Sequence, residues 1–595
     1  MLLWQLVLTR INSLITIFKI LSTYKYIFLI FVLSLSTHPS FAANDAGSIL
    51  NQQIDADKFS RRLDSIPEKN VATKSQSVRL PLEKNNQLYV ESFIFDGDIK
   101  FIDKNKLRSL VQPYEQKDLT FEEILDVVEV IKNLYIDNGF ILSNIYVPEQ
   151  EVSNFKVTIY INEGKLDSNL PVEFNNNLNN FQKKHYQDLL SDFIEEVPNQ
   201  ENLERGILLI NDSPSVSATS SIAPGSQIDS SKLIIDIKEK EKYSHDISFD
   251  TYGSRYTGSN RATYNFALNN PSGLGDKISY TKIMSNLDFD LNKISYDSPV
   301  FKNGLKTSIT YTDLDYIIGK ELATNPATKG EAKVFDVSAS YPVIRSNKEN
   351  LYLKGLYKYK DLYNEASGSA TSDKRLKNLS YEVLYDHQGI TLTRYFSKVK
   401  VSHTFGDVDL SRVASNLSSD QASTGPKSNG NFQKINIDYE HIQNINETSN
   451  ISFITSVQKA NKNLDSSEKL SLGGINGVRA YPSGEASGDE GFITSIDVSH
   501  NFTKLPYGDL TGKLFYDHGE IKQYKNPSGI NLTTPNTYSL KGWGVGLSIS
   551  ENESFNASLN WASSIGSNPG MTSSGNNADG LSDSSRLWFQ LTWKV

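Results

Sequence analysis

RLWFQLTWKV, residues 586–595, ends the chain and alternates without a break. Leu587, Phe589, Leu591, Trp593 and Val595 fall on one face, with Gln590, Thr592 and Lys594 on the other. Side chains of a strand point to opposite faces with a period of two, so this is a strand with one aromatic-rich face. The same texture recurs upstream. SFNASLNWAS (554–563) sets Phe555, Ala557, Leu559 and Trp561 against Asn556, Ser558 and Asn560. LYLKGLYKYK (351–360) sets Leu351, Leu353, Tyr357 and Tyr359 against Lys354, Lys358 and Lys360, and KVFDVSASY (333–341) repeats the pattern around Phe335, Val337, Ala339 and Tyr341. Long polar segments separate such strands, the longest being Ser411–Asn431 and Gly566–Ser585. A soluble β-sandwich also alternates, but it has no need of one texture running from about residue 243 to the last residue. Long alternating strands joined by long hydrophilic loops favour an outer-membrane barrel.

The N-terminus agrees. YKYIFLIFVLSLSTHPSFA (24–42) has a lysine, an apolar core from Tyr26 to Leu35 and the small-residue pattern Ser40-Phe41-Ala42. It reads as a secretory signal over residues 1–42, cleaved after Ala42. An uncleaved anchor is the other reading, and the core is short for a span. After residue 42 no run of 18 apolar residues occurs, so no transmembrane helix is expected. The 595 residues carry a net charge of −9 and no cysteine. That balance does not suggest nucleic-acid binding, and the lack of cysteine fits an exported protein built without disulfides. The eight histidines show no metal-ligand spacing, and no glycine loop precedes Lys-Ser/Thr. His518 adjoins Asp517 without a nucleophile. No catalytic residue, metal or cofactor is expected, and the chain is not read as an enzyme.

Between leader and barrel the texture is mixed. Residues 43–85 hold a patchy helical pattern at 46–64 (Ile49, Leu50, Ile54, Phe59, Leu63) and a linker. Residues 86–165 read as β-α-α-β-β, with Thr120 and Glu123 forming a capping box before a helix that stops at Gly139. Residues 166–240 repeat that order less clearly. The barrel then occupies 241–595.

One further stretch stands out. GGINGVRAYPSGEASGDEG (473–491) holds six glycines and one arginine. So much glycine predicts a floppy loop, yet Arg479 sits between Val478 and Ala480-Tyr481 like a peg.

Four stretches carry a resemblance: YVPEQEVSNFKVTIYINEGKL (146–166), LERGILLINDSPSVSATSSIAPG (203–225), YGSRYTGSNRATYNFALNNPSGLGDKISYT (252–281) and SSEKLSLGGINGVRAYPSGEASGDEG (466–491). Together they resemble the two-partner secretion transporters, the hemolysin and filamentous hemagglutinin exporter family of the POTRA-barrel superfamily. The resemblance covers roughly residues 86–595. It implies an all-β transmembrane barrel of about sixteen antiparallel strands behind two α/β POTRA domains. It further implies an N-terminal plug helix, and a loop 473–491 inserted in the lumen with the motif residues Gly477, Val478, Ala480, Tyr481, Gly488 and Asp489. Its arginine is expected to pair with an aspartate of the inner wall. Alternation in LTGKLFYDHG (510–519) independently places Thr511, Lys513, Phe515 and Asp517 on the lumen face, so Asp517 is the candidate partner of Arg479. The plainer readings are a surface arginine at 479, and Asp517 facing Lys513 or water.

The family usually has glycine where Ala480 stands, which predicts an altered turn, and usually ends in phenylalanine where Val595 stands. The function implied is export of one large partner exoprotein, a hemolysin, adhesin or contact-dependent inhibition toxin, from periplasm to cell surface. The POTRA domains bind the unfolded partner, or serve as passive spacers, and the barrel is the pore. The alternative is an assembly factor of the same superfamily. Other partners implied are outer-membrane lipid and lipopolysaccharide and the barrel assembly machinery, with the chain acting as a monomer.

Overall fold

The computed structural model describes residues 45–60, 66, 87–152, 154–175, 178–194, 199–227, 230–502, 505, 508–551 and 554–594. The leader read at 1–42, residues 61–64 of the helix read at 46–64, nearly all of the linker after it and the terminal Val595 lie outside the described residues.

The first described element is helix α1 (Ala46–Ser60). The first α/β module follows, with β1 (Gln87–Val90), β2 (Ser92–Asp98), α2 (Lys104–Val111), β3 (Lys117–Thr120), α3 (Phe121–Asp137), β4 (Asn144–Tyr146) and β5 (Lys156–Asn162). Its core forms where the helical spacing of Ile124, Val127, Val128 and Ile131 meets the alternating Val157, Ile159 and Ile161 of β5. Thr120 and Glu123 cap α3 reciprocally. Glu163, buried at 3 %, accepts from the Lys100 and Phe101 amides and the Tyr135 hydroxyl, and so pins loop, helix and strand together. The strand β3 has no counterpart in the β-α-α-β-β order expected from sequence. Its four residues are too few and too polar to show alternation, and pairing with β1 makes them a strand.

The second module comprises β6 (Lys165–Leu166), β7 (Val172–Phe174), α4 (Asn180–Leu190), α5 (Gln200–Asn211), β8 (Val216–Pro224) and β9 (Ser230–Glu239). It is docked on the barrel. Val300, from a barrel turn, is fully buried in its core, Arg205 donates to the carbonyls of Pro342 and Val343, and Asp212 takes Arg345 through both oxygens at 2.9 and 3.0 Å.

Sixteen strands close the barrel. The first eight are β10 (Tyr243–Asp250), β11 (Arg261–Asn269), β12 (Lys277–Ser285), β13 (Phe289–Asp297), β14 (Lys306–Ile317), β15 (Lys329–Arg345), β16 (Glu349–Ala366) and β17 (Ser369–Ile390). The chain continues through β18 (Arg394–Asp409), helix α6 (Ala414–Gln421), β19 (Gly430–Asn444) and β20 (Ser449–Ala460). A small hairpin of β21 (Leu470–Ser471) and β22 (Ser487–Gly488) leads to β23 (Glu490–Asn501), β24 (Asp509–Lys522), β25 (Thr537–Glu551), β26 (Phe555–Ser564) and β27 (Ser585–Lys594). Every neighbouring barrel pair is antiparallel, and β27 pairs with β10 from Asp246↔Lys594 to Asp250↔Gln590 to complete the ring. Closure leaves no open sheet edge, which a membrane core cannot tolerate.

Alternation sorts the two faces. Phe335, Leu353, Tyr357, Leu559, Leu587, Phe589 and Trp593 are exposed on the outside. Their neighbours face a filled interior. The turns at the module end are short, and the long connections lie at the other end. The polar segment Ser411–Asn431 is not wholly irregular: it holds α6, whose Asp420 accepts from the Ser428 and Asn429 amides.

Candidate functional site

The connection from β20 to β23 turns back into the barrel. Despite its glycines it is packed, because some of them let backbone approach backbone. A Cβ on Gly477 would sit 2.2 Å from the Leu472 carbonyl, and one on Gly488 2.7 Å from that of Lys522. The Val478 amide donates to the Leu472 carbonyl at 2.8 Å. Leu472, Val478, Ala480 and Tyr481 then bury themselves against Phe515, Ile521, Tyr538, Leu540 and Ala562 of the inner wall.

Arg479 is fully buried. Its Nε and Nη2 donate to the two oxygens of Asp517 at 2.9 and 2.7 Å, and its own backbone amide donates to Asp517 Oδ2 at 3.0 Å. Nη2 and Nη1 also reach the two oxygens of Asp497, at 2.6 and 3.3 Å. The guanidinium lies 3.5 Å from the centre of the Phe515 ring, and Trp588 Nε1 donates to the Arg479 carbonyl at 2.7 Å. A planar fork with five donors suits two carboxylates in a way an ammonium does not. Lys513, the other candidate partner of Asp517, is 3.5 Å from Asp497 instead.

Asp497 is absent from the candidates named by sequence, although FITSIDVSHN alternates and puts Ser495, Asp497 and Ser499 on the buried face. Trp588 is absent too, because a tryptophan on a polar face carries no signal.

Ala480 is absent from the residues with positive φ, so alanine holds this backbone without strain. Its Cβ faces Gly542, where an added Cβ would lie 2.7 Å away. The wall, not the loop, supplies the room. Gly542→Val is therefore expected to push the tip out of its seat, while Ala480→Gly leaves it in place. Limited proteolysis of the loop in purified barrels reads the difference, and equal resistance of both variants would refute the fit.

Asp489 staples the far side of the loop. It is fully buried and accepts from the Leu464 and Lys525 amides and from Lys469 at 2.7 Å. At the extracellular end Glu485, 5 % exposed, accepts from the Asn568 amide group and, at 2.7 Å, from the Ala578 amide of the β26–β27 connection. Burial, offset in part by the hydrogen bonds from Ala578 and Asn568, raises its carboxyl to about 7 from an ordinary 4.5. A carboxyl with a raised value in the seated loop contributes its full stability below pH 4.5, loses it as the pH rises, and has lost it above pH 7. The contact between the two loops is expected to open more readily at pH 8 than at pH 5.5, by about 2 kcal/mol. Hydrogen exchange at the Ala578 amide measures this, and Glu485→Gln should flatten the profile; a flat profile in the native protein would exclude the linkage.

The second occupant of the lumen is α1. Asp45 caps it, accepting from the Ser48 amide at 2.8 Å with one oxygen. The other oxygen meets Lys374 at 2.9 Å. Lys374, 4 % exposed, also meets Asp465 of the inserted connection at 2.7 Å, so one wall cation holds helix and loop together. Asn51 donates to the Ser466 carbonyl at 2.8 Å, and Arg261, paired with Asp250 at 2.8 Å, donates to Gln53. Nearby, Glu468 is taken by Lys360 and Lys434 at 2.7 and 2.8 Å. None of these wall lysines stands out in the sequence, where a lysine on the polar face of a strand reads as solvated.

A closed sixteen-strand barrel with an α/β arm docked at one end and a loop locked in its lumen defines an outer-membrane transporter of the POTRA-barrel class. More narrowly, the chain belongs to the haemolysin secretion/activation protein ShlB/FhaC/HecB family, whose model matches residues 229–549. Residues 88–164 match the ShlB-type POTRA domain. The chain is 24% identical over 493 residues to the heme/hemopexin transporter protein HuxB of Haemophilus influenzae (strain 86-028NP), with 80% of this chain and 83% of that protein covered. It is 21% identical over 490 residues to the outer membrane transporter CdiB of Dickeya dadantii (strain 3937), covering 79% and 83%. The solved structure of CdiB from Escherichia coli superposes with a TM-score of 0.67 over 94% of this chain and all of that one, at 17% identity, and shares the fold. The chain is an outer-membrane transporter of two-partner secretion.

Proposed function

We propose that the barrel exports one large partner exoprotein, of the hemolysin, adhesin or contact-dependent inhibition kind, in unfolded form. The two α/β modules, 86–165 and 166–240, capture the partner in the periplasm, and an edge strand adds an extended segment of it by backbone hydrogen bonds. The observation that carries this reading is the state of the lumen: α1 and the inserted loop both fill it, and both are tied to the wall by buried ion pairs. In this reading Arg479 and Asp517 fix the loop in the working conformation of the pore, and α1 closes the resting channel. The barrel works as a monomer, since its strands close within one chain, and it reaches the lipopolysaccharide-rich outer membrane through the barrel assembly machinery.

The test is to find a gene for a large exoprotein beside this one and to follow secretion of its product. Cells with the transporter should release it, and cells without it should retain it in the periplasm. Release without the transporter would end the proposal.

A further inference from the structure

The lumen has two textures. Part of it is a polar cavity lined by Asp246, Asp250, Arg261, Lys293, Asp336 and Lys358. Beside it the inner wall turns apolar. Across five adjacent strands the register sets Ile283 opposite Leu291, Leu291 opposite Leu314, Leu314 opposite Ala332, and Ala332 opposite Leu362. These are direct cross-strand neighbours, each no more than 4 % exposed. They make an unbroken apolar strip from β12 to β16, on the side of the wall that faces the pore. On β17 the next position is Lys374. A second, shorter row is set by Leu376 opposite Val408. At present α1 covers the strip with Ala46, Ile49 and Leu50, and Ile54 packs beside them.

A wall that passed only water and ions would have no use for this strip, and an empty lumen would leave it wetted. The strip also continues the route of the cavity, since Ile283 and Leu291 line both. We infer that the strip Ile283–Leu291–Leu314–Ala332–Leu362 is a binding surface for the exported chain. Its occupant is an extended segment with apolar side chains at every second position, the spacing at which a strand presents one face. Helix α1 then holds the strip at rest as a stand-in, and it leaves by exchange with the chain instead of leaving bare wall behind. This rests on the reading of the barrel as an export pore.

The experiment uses the transporter lacking residues 45–60 in planar bilayers, with two short water-soluble peptides as probes. One carries valine at every second position among serines, and the other carries threonine there, with the same shape but a hydroxyl. The valine peptide is expected to block current at about tenfold lower concentration. With Leu314→Ser and Leu362→Ser together, the two peptides should block within about twofold of each other, heat-modified gel mobility confirming a folded barrel. Leu291→Thr alone should narrow the difference and serves if the double variant does not fold. Equal block by both peptides in the unsubstituted pore, or a preference that survives the wall substitutions, overturns the strip and leaves the pore intact. No current from the helix-less barrel overturns both readings.

Discussion

Arg479→Ala unseats the inserted loop and stops export while the barrel still reaches the outer membrane. The substitution leaves two buried carboxylates, Asp497 and Asp517, facing each other without their shared cation. Breaking a buried pair on one side costs about 3–5 kcal/mol, and here two anions lose their partner. That shifts the seated loop by roughly a hundred- to a few thousandfold relative to its unseated forms. Arg479→Lys should recover little, because an ammonium cannot span both carboxylates and stack on Phe515. Asp517→Asn should weigh more than Asp497→Asn, since Asp517 accepts three hydrogen bonds from Arg479, one of them from its backbone, whereas Asp497 keeps Lys513 nearby. A charge swap of 479 and 517 keeps the net charge but can restore only part of the export, because the backbone donor no longer has its acceptor. Exoprotein in the medium, set against barrel abundance in the membrane fraction, measures each variant. Normal export by Arg479→Ala would sink the lock.

Lys374→Met opens the resting channel. The substitution strips Asp45 and Asp465 of their common cation, loosening α1 and the root of the inserted loop together. Asp45→Asn should do much less, because Lys374 keeps Asp465 and the helix keeps a side chain able to cap it. Single-channel current should therefore rise several-fold in the order native, Asp45→Asn, Lys374→Met, deletion of 45–60. If about 3–5 kcal/mol of seating is lost, a helix almost always seated becomes one often absent. Native-like currents from the deletion would show that α1 does not close the pore.

The class of fold was legible in the sequence because the physics that builds a barrel is local. Alternation in Leu587–Trp593 and Phe555–Trp561 sorts side chains between lipid and lumen without knowledge of any partner strand, and closure follows from the need to leave no edge. The capping box at Thr120 is local for the same reason. Asp517 was legible through alternation, and Asp497 carries the same signal within 492–501. The packed state of the inserted loop was not legible. Its glycines read as freedom, whereas in the fold they admit close backbone contacts, and the wall glycines Gly519 and Gly542 admit Leu472 and Ala480.

By itself, then, the sequence determined the two-faced strands, the α/β arm and one arginine in search of a carboxylate, each decided over a few neighbouring residues. What the tertiary structure decided are meetings between residues far apart along the chain. Lys374 joins Asp45 to Asp465, Trp588 caps the Arg479 carbonyl, and Ile283 to Leu362 line up into one strip. Strand register and barrel closure set these meetings, and neither is written in any single strand.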